Sequence, residues 1–255
     1  MIDQNLVRLI ADAGRIGPTD VVIEVGPGTG TLTDELLSRA GQVVAVEIDR
    51  DLAAMLRDRY ADRATFRLIE GDALAGKHAL NDELLAVIRA AHANGKTVRL
   101  VANLPYNIAS PLVIELLLVG VATLAFTVQK EVADRLRAVA NDDAYGPLSV
   151  VVNMLSDVEV LRTLPPQAFW PAPKIDSALV RLTHRDRLGD SGNAFSRFVQ
   201  QIFAARRKTL RNALLNADLP ADELLEKVGL DPKRRPEEIP ADQLLALFRL
   251  SRPSV

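Results

Sequence analysis

Four strand-like runs in this chain end in residues able to bind a ligand. "VVIEV", Val21 to Val25, runs into Gly26-Pro27-Gly28-Thr29-Gly30 and then a helical pattern. Gly26, Gly28 and Gly30 allow a tight turn and let backbone approach a ligand without Cβ interference, with a helix N-terminus behind them. The spacing is G-x-G-x-G, with the acid Glu24 ahead of it. That departs from the G-x-G-x-x-G of dinucleotide loops and suits a ligand with no pyrophosphate to cradle. Glu47 ends the second run, where a carboxylate can accept both hydrogen bonds of a ribose diol. Asp72, in "IEGDAL", follows the third, within reach of an adenine amino group. Taken singly, either acid also fits the commoner role of a helix N-cap.

The fourth run ends in Asn103-Leu104-Pro105-Tyr106. Asn103 offers a side-chain carbonyl, and Pro105 restricts the turn so that the Leu104 carbonyl can stay free. Two acceptors so placed can hold the hydrogens of an exocyclic amino group and draw its lone pair out of conjugation with the ring. Tyr106 adds a flat face for a base. In isolation the motif reads equally as a helix-entry turn. Behind a nucleoside pocket, the chemical reading is the stronger one.

The elements that must position these residues alternate. "DVVIEV", "QVVAVEI", "TFRLIE", "TVRLVANL" and "ATLAFTVQ" are each followed by a helical pattern, the third by one running through Ala93. Alternation of this kind predicts an α/β fold with a mostly parallel sheet covered by helices on both faces. In such sheets ligands lie outside the carboxyl ends of the strands, so Gly26, Glu47, Asp72 and Asn103 should converge on one crevice. Two more strand patterns, "VEVLRTLP" and "SALVRLT", precede a Gly/Asp-rich linker, "RDRLGDSGN", and from about Asn193 only helical patterns remain. The expected division is a domain over 1–186 and a small all-helical one over 193–255.

Composition narrows the chemistry. The 255 residues are 48% apolar with a net charge of -2, enough for one full core and a smaller one. There is no cysteine, and His78, His92 and His184 show no metal-ligand spacing, so neither thiol nor metal chemistry is expected. The apolar stretch Leu112 to Phe126 is interrupted by Glu115 and too short to span a bilayer, and the N-terminus lacks the basic and apolar regions of a signal peptide. A cytoplasmic protein with no membrane association is the expectation. Charge is uneven: Lys174 to Asn212 holds nine basic residues against three acids, a segment able to meet phosphates or to form a solvated helix face.

The phrases "EVGPGTGTLT", "VVAVEID", "EGDAL", "NLPYNIASPL", "FTVQKEVADRL", "YGPLSV", "FWPAPKIDSALVRL" and "FAARRKTLRNAL" together resemble the small-subunit ribosomal RNA adenine dimethyltransferase family, the KsgA type, over about Asp3 to Asn212. The resemblance implies a class I methyltransferase fold with S-adenosyl-L-methionine as donor. It further implies that two adjacent adenosines near the 3′ end of small-subunit rRNA, within a pre-30S particle, are converted to dimethyladenosine by a monomer. Carried onto this sequence, it places Glu24, Gly26, Gly28, Gly30, Glu47, Ile48, Asp72, Ala73 and Asn103 at the cofactor. Asn103, Leu104, Pro105, Tyr106 and Phe169 fall at the reacting base, and Lys174, Arg206, Arg207, Lys208 and Arg211 at the RNA. Phe169 is expected either as a second wall opposite Tyr106 or as a core aromatic. A sulfonium methyl is already activated, so positioning suffices and no nucleophilic side chain is needed.

Two departures accompany the resemblance. The family usually carries a segment ending in Gly-Gln-His/Asn-Phe-Leu just before the position of Asp3, which contributes to both pockets, and Met1 stands immediately after it. Pro147 replaces a basic residue common in "YGPLSV". Competing readings are an assembly factor with impaired catalysis, a large-subunit rRNA adenine methyltransferase sharing the first four motifs, and a nicotinamide-dependent oxidoreductase. The last lacks both the wider glycine spacing and a hydride-transfer constellation, and "RRKTLRNAL" favours the small-subunit branch.

Overall fold

The computed structural model describes residues 4–76, 79–169 and 174–252. In chain order the elements are α1 (Gln4–Ala13), β1 (Val21–Val25), α2 (Thr31–Leu37), β2 (Gln42–Glu47), α3 (Arg50–Arg59) and β3 (Phe66–Glu70). A small pair, β4 (Leu74–Gly76) and β5 (Ala79–Leu80), precedes α4 (Asp82–Ala93), β6 (Val98–Asn103), α5 (Ala109–Leu118) and β7 (Thr123–Gln129). Then come α6 (Lys130–Arg137), α7 (Pro147–Leu155), β8 (Ser156–Leu164), β9 (Ser177–His184), α8 (Gly192–Ala204), α9 (Leu210–Asn216), α10 (Ala221–Val228) and α11 (Ala241–Ser251).

Seven strands form one sheet in the order β3-β2-β1-β6-β7-β9-β8. β3, β2, β1, β6 and β7 run parallel, and β9 lies antiparallel to β7. The central strands are β-branched and apolar because both of their faces are covered: Val22, Ile23, Val43, Val44, Leu100, Val101, Leu124 and Phe126 are fully buried. Each such side chain contributes roughly 1.5–3 kcal/mol on leaving water. At the amino ends of the strands, the Arg99 guanidinium donates from Nε to Asp20 Oδ2 at 2.5 Å and from Nη1 to Thr123 Oγ1 at 2.8 Å. That buried network ties β6 to β7 and to the entry of β1, opposite the ends that carry ligand chemistry.

The helical pattern expected directly after β3 starts later than its periodicity suggested. β4 and β5 pair first, and α4 begins where the Asn81 side chain accepts from the backbone of Glu83 and Leu84.

The chain divides into two compact units, Met1–Ala133 with Val158–His184, and Asp134–Asp157 with Arg185–Val255. The first holds nearly the whole sheet. The second takes in α7 besides the C-terminal helices, and its core includes Phe195, Phe198 and Phe248, with ring centroids 5.4 to 6.4 Å apart. Among the described residues no helix is long and apolar enough to cross a membrane.

Candidate active site

The sheet order reverses between β1 and β6: β1 is followed by β2 on one side and neighbours β6 on the other. This is the switch point where open α/β sheets leave a crevice. A cavity opens there, at the carboxyl ends of the strands. Gly26, Glu47, Ile48, Asp72, Ala73 and Pro105 all line it, so three of the four strand ends singled out in the sequence meet at one place. Gly71, Asn107 and Ile108 join them, and none of these three was read from the sequence. Asn107 and Ile108 lie in the same phrase as Pro105, and the turn beginning at Pro105 folds them back; the Ile108 N–H donates to the Pro105 carbonyl at 3.3 Å. Ile48 is 69% exposed, an apolar side chain left at the rim.

The glycine loop is left-handed at all three glycines, with φ of +70°, +58° and +82° at Gly26, Gly28 and Gly30. A Cβ on Gly28 would meet nothing within 4 Å, so that residue faces open space. Gly30 behaves differently. A Cβ there would stand 2.5 Å from the Tyr60 hydroxyl, which donates to the Gly30 carbonyl at 3.0 Å and to Asp34 Oδ1 at 2.8 Å. Arg59 donates to the Thr29 carbonyl at 2.7 Å and pairs with Asp34. The end of α3 thus clasps the loop, and Gly30, expected at the ligand, faces this clasp and not the cavity. Burial, followed by the hydrogen bond and charge of Asp34, raises the Tyr60 pKa, so the hydroxyl remains a donor.

Two acids share the loop and have different surroundings. Glu47 accepts from the Gly28 N–H at 3.2 Å through Oε2 and from the Asp49 N–H at 3.0 Å through Oε1. Each oxygen keeps a lone pair for a further donor. Glu24 is buried within β1 and does not line the cavity; its Oε2 accepts from Thr33 Oγ1 at 2.6 Å. Burial pushes the Glu24 carboxyl up to about 8, against the Thr33 hydrogen bond and with help from the charges of Asp34 and Glu47. Expected at the ligand, Glu24 instead braces the loop from behind by holding α2. Asp72 is exposed and uses Oδ1 to accept from the Leu74 N–H at 3.0 Å, which leaves Oδ2 for a ligand.

At the fourth strand end, Asn103 lies beside Thr127 in the parallel register of β6 and β7, and its Oδ1 accepts from Thr127 Oγ1. Leu104 is buried, whereas Pro105 turns out to the cavity. Tyr106 is half-buried, its hydroxyl 2.9 Å from Ser177 Oγ. Phe169 does not form a second wall. It is 7% exposed and belongs to the apolar cluster of α1 residues Leu6, Val7, Ile10 and Ala11 with Val101 and Leu179, which is the core alternative. An aromatic ring beside prolines looks the same in sequence whichever way it turns.

Of the basic residues, Lys174 is an exposed residue of the first unit, and Arg206, Arg207 and Lys208 are exposed in the second. Among the described residues none of these four carries an ion pair. Arg211 is committed elsewhere: its Nε and Nη2 donate to Asp222 at 2.6 and 2.8 Å, tying α9 to α10. Arg181 and Arg185 likewise pair with Glu159 and Asp157. The structure also adds cations. Leu210 N–H donates to the Arg234 carbonyl at 2.6 Å and Arg211 N–H to the Pro232 carbonyl at 3.3 Å, bringing exposed Lys233 and Arg235 to the start of α9, just after the 206–208 segment.

The family model for ribosomal RNA adenine dimethylase matches residues 1–252. This chain belongs to that family. Among curated relatives, the ribosomal RNA small subunit methyltransferase A of Moorella thermoacetica is 38% identical over 98% of this chain and 88% of its own length. The protein of the same name from Geobacillus thermodenitrificans is 37% identical over 98% of this chain and 90% of its own. A solved dimethyladenosine transferase from Plasmodium falciparum superposes with a TM-score of 0.73 at 23% identity, covering 96% of this chain and 94% of that one. The solved 23S rRNA methyltransferase ErmE gives 0.67 at 26%, covering 98% of each. Both support the class I methyltransferase fold. The small-subunit enzymes share more identity with this chain than the large-subunit one does, so the large-subunit alternative is not favoured.

Besides Asn107 and Ile108, sequence reading missed the two hydroxyls of Thr127 and Ser177. Their only signal was polarity at buried positions, in "FTVQ" and "DSALV".

Proposed function

We infer that this protein dimethylates the exocyclic amino groups of two adjacent adenosines near the 3′ end of small-subunit rRNA, with S-adenosyl-L-methionine as methyl donor. The observation that carries the reading is the convergence of Gly26, Glu47, Asp72 and the Pro105 turn on one crevice, with Asn103 at the end of the adjoining strand.

The crevice fits the donor. Gly28 leaves its backbone open to approach, Glu47 has lone pairs for a ribose diol, Asp72 Oδ2 suits an adenine amino group, and Ile48, Pro105 and Ile108 supply apolar surface. When bound, S-adenosyl-L-methionine supplies an activated methyl on sulfur, leaving as the neutral thioether. This chain's residues then need only hold the acceptor. In the first transfer Asn103 Oδ1 and the Leu104 carbonyl accept the two hydrogens of the target amino group and point its lone pair outward, in the second one of them holds the single hydrogen that remains, Tyr106 supports the unstacked base, and the amine loses one proton to water per methyl gained.

The first unit is proposed to carry the methyl transfer. The second contacts rRNA through Arg206, Arg207 and Lys208, with Lys233 and Arg235 at the start of α9 just after them, and Lys174 contributes from the first. The substrate is a pre-30S particle in the cytoplasm and the enzyme acts as a monomer. Purified enzyme with methyl-labelled S-adenosyl-L-methionine should label unmodified small subunits and not large ones. Label entering the large subunit preferentially, or neither, would overturn the assignment.

A further inference from the structure

β9 runs antiparallel to its neighbour β7, and the consequence is chemical. An antiparallel strand delivers its first residue to the end of the sheet where its parallel neighbours deliver their last. Ser177, the first residue of β9, therefore stands opposite Gln129 at the carboxyl end of β7, and Leu179 stands opposite Thr127. Asn103 stands opposite Thr127 on the other side. Directly paired residues, and residues two apart on a strand, share a face of the sheet, so Asn103, Thr127 and Ser177 belong to one face. Thr127 and Ser177 are fully buried hydroxyls on covalently fixed strand positions.

Each hydroxyl meets one end of the Asn-Leu-Pro-Tyr phrase. Thr127 Oγ1 donates to Asn103 Oδ1, and Ser177 Oγ lies 2.9 Å from the Tyr106 hydroxyl. An unheld Asn side chain can rotate or exchange its oxygen and amide nitrogen, presenting a donor where an acceptor is required. Donation by Thr127 fixes the oxygen in place, and because a carbonyl oxygen accepts twice, one lone pair remains for a substrate hydrogen. Ser177 fixes the far tip of the Tyr106 ring, so the ring cannot swing with its loop.

We propose that Thr127 and Ser177 are positioning residues of the methyl-transfer site: Thr127 sets the orientation of the Asn103 amide, and Ser177 sets the plane of the Tyr106 ring. The proposal rests on the reading of Asn103 and Tyr106 given above. Neither hydroxyl touches the substrate; each acts through the residue it holds.

The test compares single-turnover methyl transfer to unmodified small subunits, S-adenosyl-L-methionine affinity by calorimetry, and melting temperature. Thr127→Val keeps the shape and removes the hydroxyl, and should slow transfer roughly fivefold to tenfold, as for loss of one ordinary hydrogen bond. Thr127→Ser restores the hydroxyl and should return the rate to within about twofold of wild type. Ser177→Ala and Tyr106→Phe should slow transfer to a similar degree, and their double variant no further than either, since they delete the same bond. Cofactor affinity should stay unchanged throughout. Equal rates for Thr127→Val and wild type, equal loss in Thr127→Ser and Thr127→Val, or additive losses in the Ser177/Tyr106 cycle would overturn the proposal. Asn103→Ala, run alongside, separates the levels: its retaining full rate would overturn the underlying reading, whereas its loss beside an unaffected Thr127→Val overturns positioning alone.

Discussion

Glu24 and Glu47 are both acids at strand ends beside one glycine loop, and the sequence treats them alike. Burial separates them. With its carboxyl pushed up to about 8 from an ordinary value of 4.5, Glu24 is bound to a proton in the folded chain over a range where the unfolded chain has lost it. Stability therefore falls as pH rises from about 4.5 to about 8, by at most roughly 1.4 kcal/mol per unit, and is flat in this respect outside that window. Glu24→Gln keeps an acceptor for Thr33 and removes the titration. Chemical denaturation at about pH 5 and about pH 8.5, either end of that window, should show the variant gaining on wild type at the higher pH; parallel stabilities at both would remove the linkage. For Glu47, Glu47→Ala should weaken S-adenosyl-L-methionine binding by roughly 1.5–3 kcal/mol in calorimetry through the absence of charge-assisted hydrogen bonds. Residue types at strand ends were legible because chemistry selects them. The direction in which a side chain or a bare Cα faces was not, which is why Phe169 lies in the core and Gly30 faces Tyr60.

At the scale of elements, the sheet was readable because buried parallel strands must be β-branched and apolar, and "DVVIEV", "QVVAVEI" and "TVRLVANL" are little else. The β4–β5 pair was hidden inside a helical pattern, since strands this short leave no periodicity to detect. Also invisible was the clasp of α3 on the glycine loop, because Tyr60 and Gly30 meet only after β2 and α3 have folded back. The clasp makes glycines of one motif unequal. Gly28→Ala should cost only the strain of a left-handed backbone, roughly 1–2 kcal/mol. Gly30→Ala adds a collision with the Tyr60 hydroxyl and should lower the melting temperature further, by several degrees relative to Gly28→Ala. Equal melting temperatures for the two would show that α3 yields freely and the clasp does not fix the loop.

Taken whole, the molecule is slightly acidic, and Arg206, Arg207 and Lys208 stand together as exposed cations with no ion pair among the described residues. Counting charges along the sequence overstated the basic segment, because Arg181, Arg185 and Arg211 are answered by acids outside it. It also missed Lys233 and Arg235, which only the backbone hydrogen bonds of Leu210 and Arg211 bring near. Replacing Arg206, Arg207 and Lys208 together with Gln should weaken small-subunit binding and flatten its dependence on salt, by roughly 0.7 to 0.9 in logarithmic slope for each phosphate no longer neutralised, with cofactor affinity unchanged. An unchanged slope with a lowered melting temperature would assign the cluster to packing.

Methyl transfer should depend most directly on Asn103. Unmodified small subunits incubated with enzyme and S-adenosyl-L-methionine, then digested to nucleosides and separated by chromatography, should yield two dimethylated adenosines per subunit, with both methyl groups on the exocyclic nitrogen. Asn103→Ala should lower that yield per unit time by about a hundredfold or more, as for removal of one group preorganised for the transition state, while cofactor affinity stays within about twofold. Dimethyladenosine formed by Asn103→Ala at the wild-type rate, or methyl groups on any other atom of the base, would contradict that role.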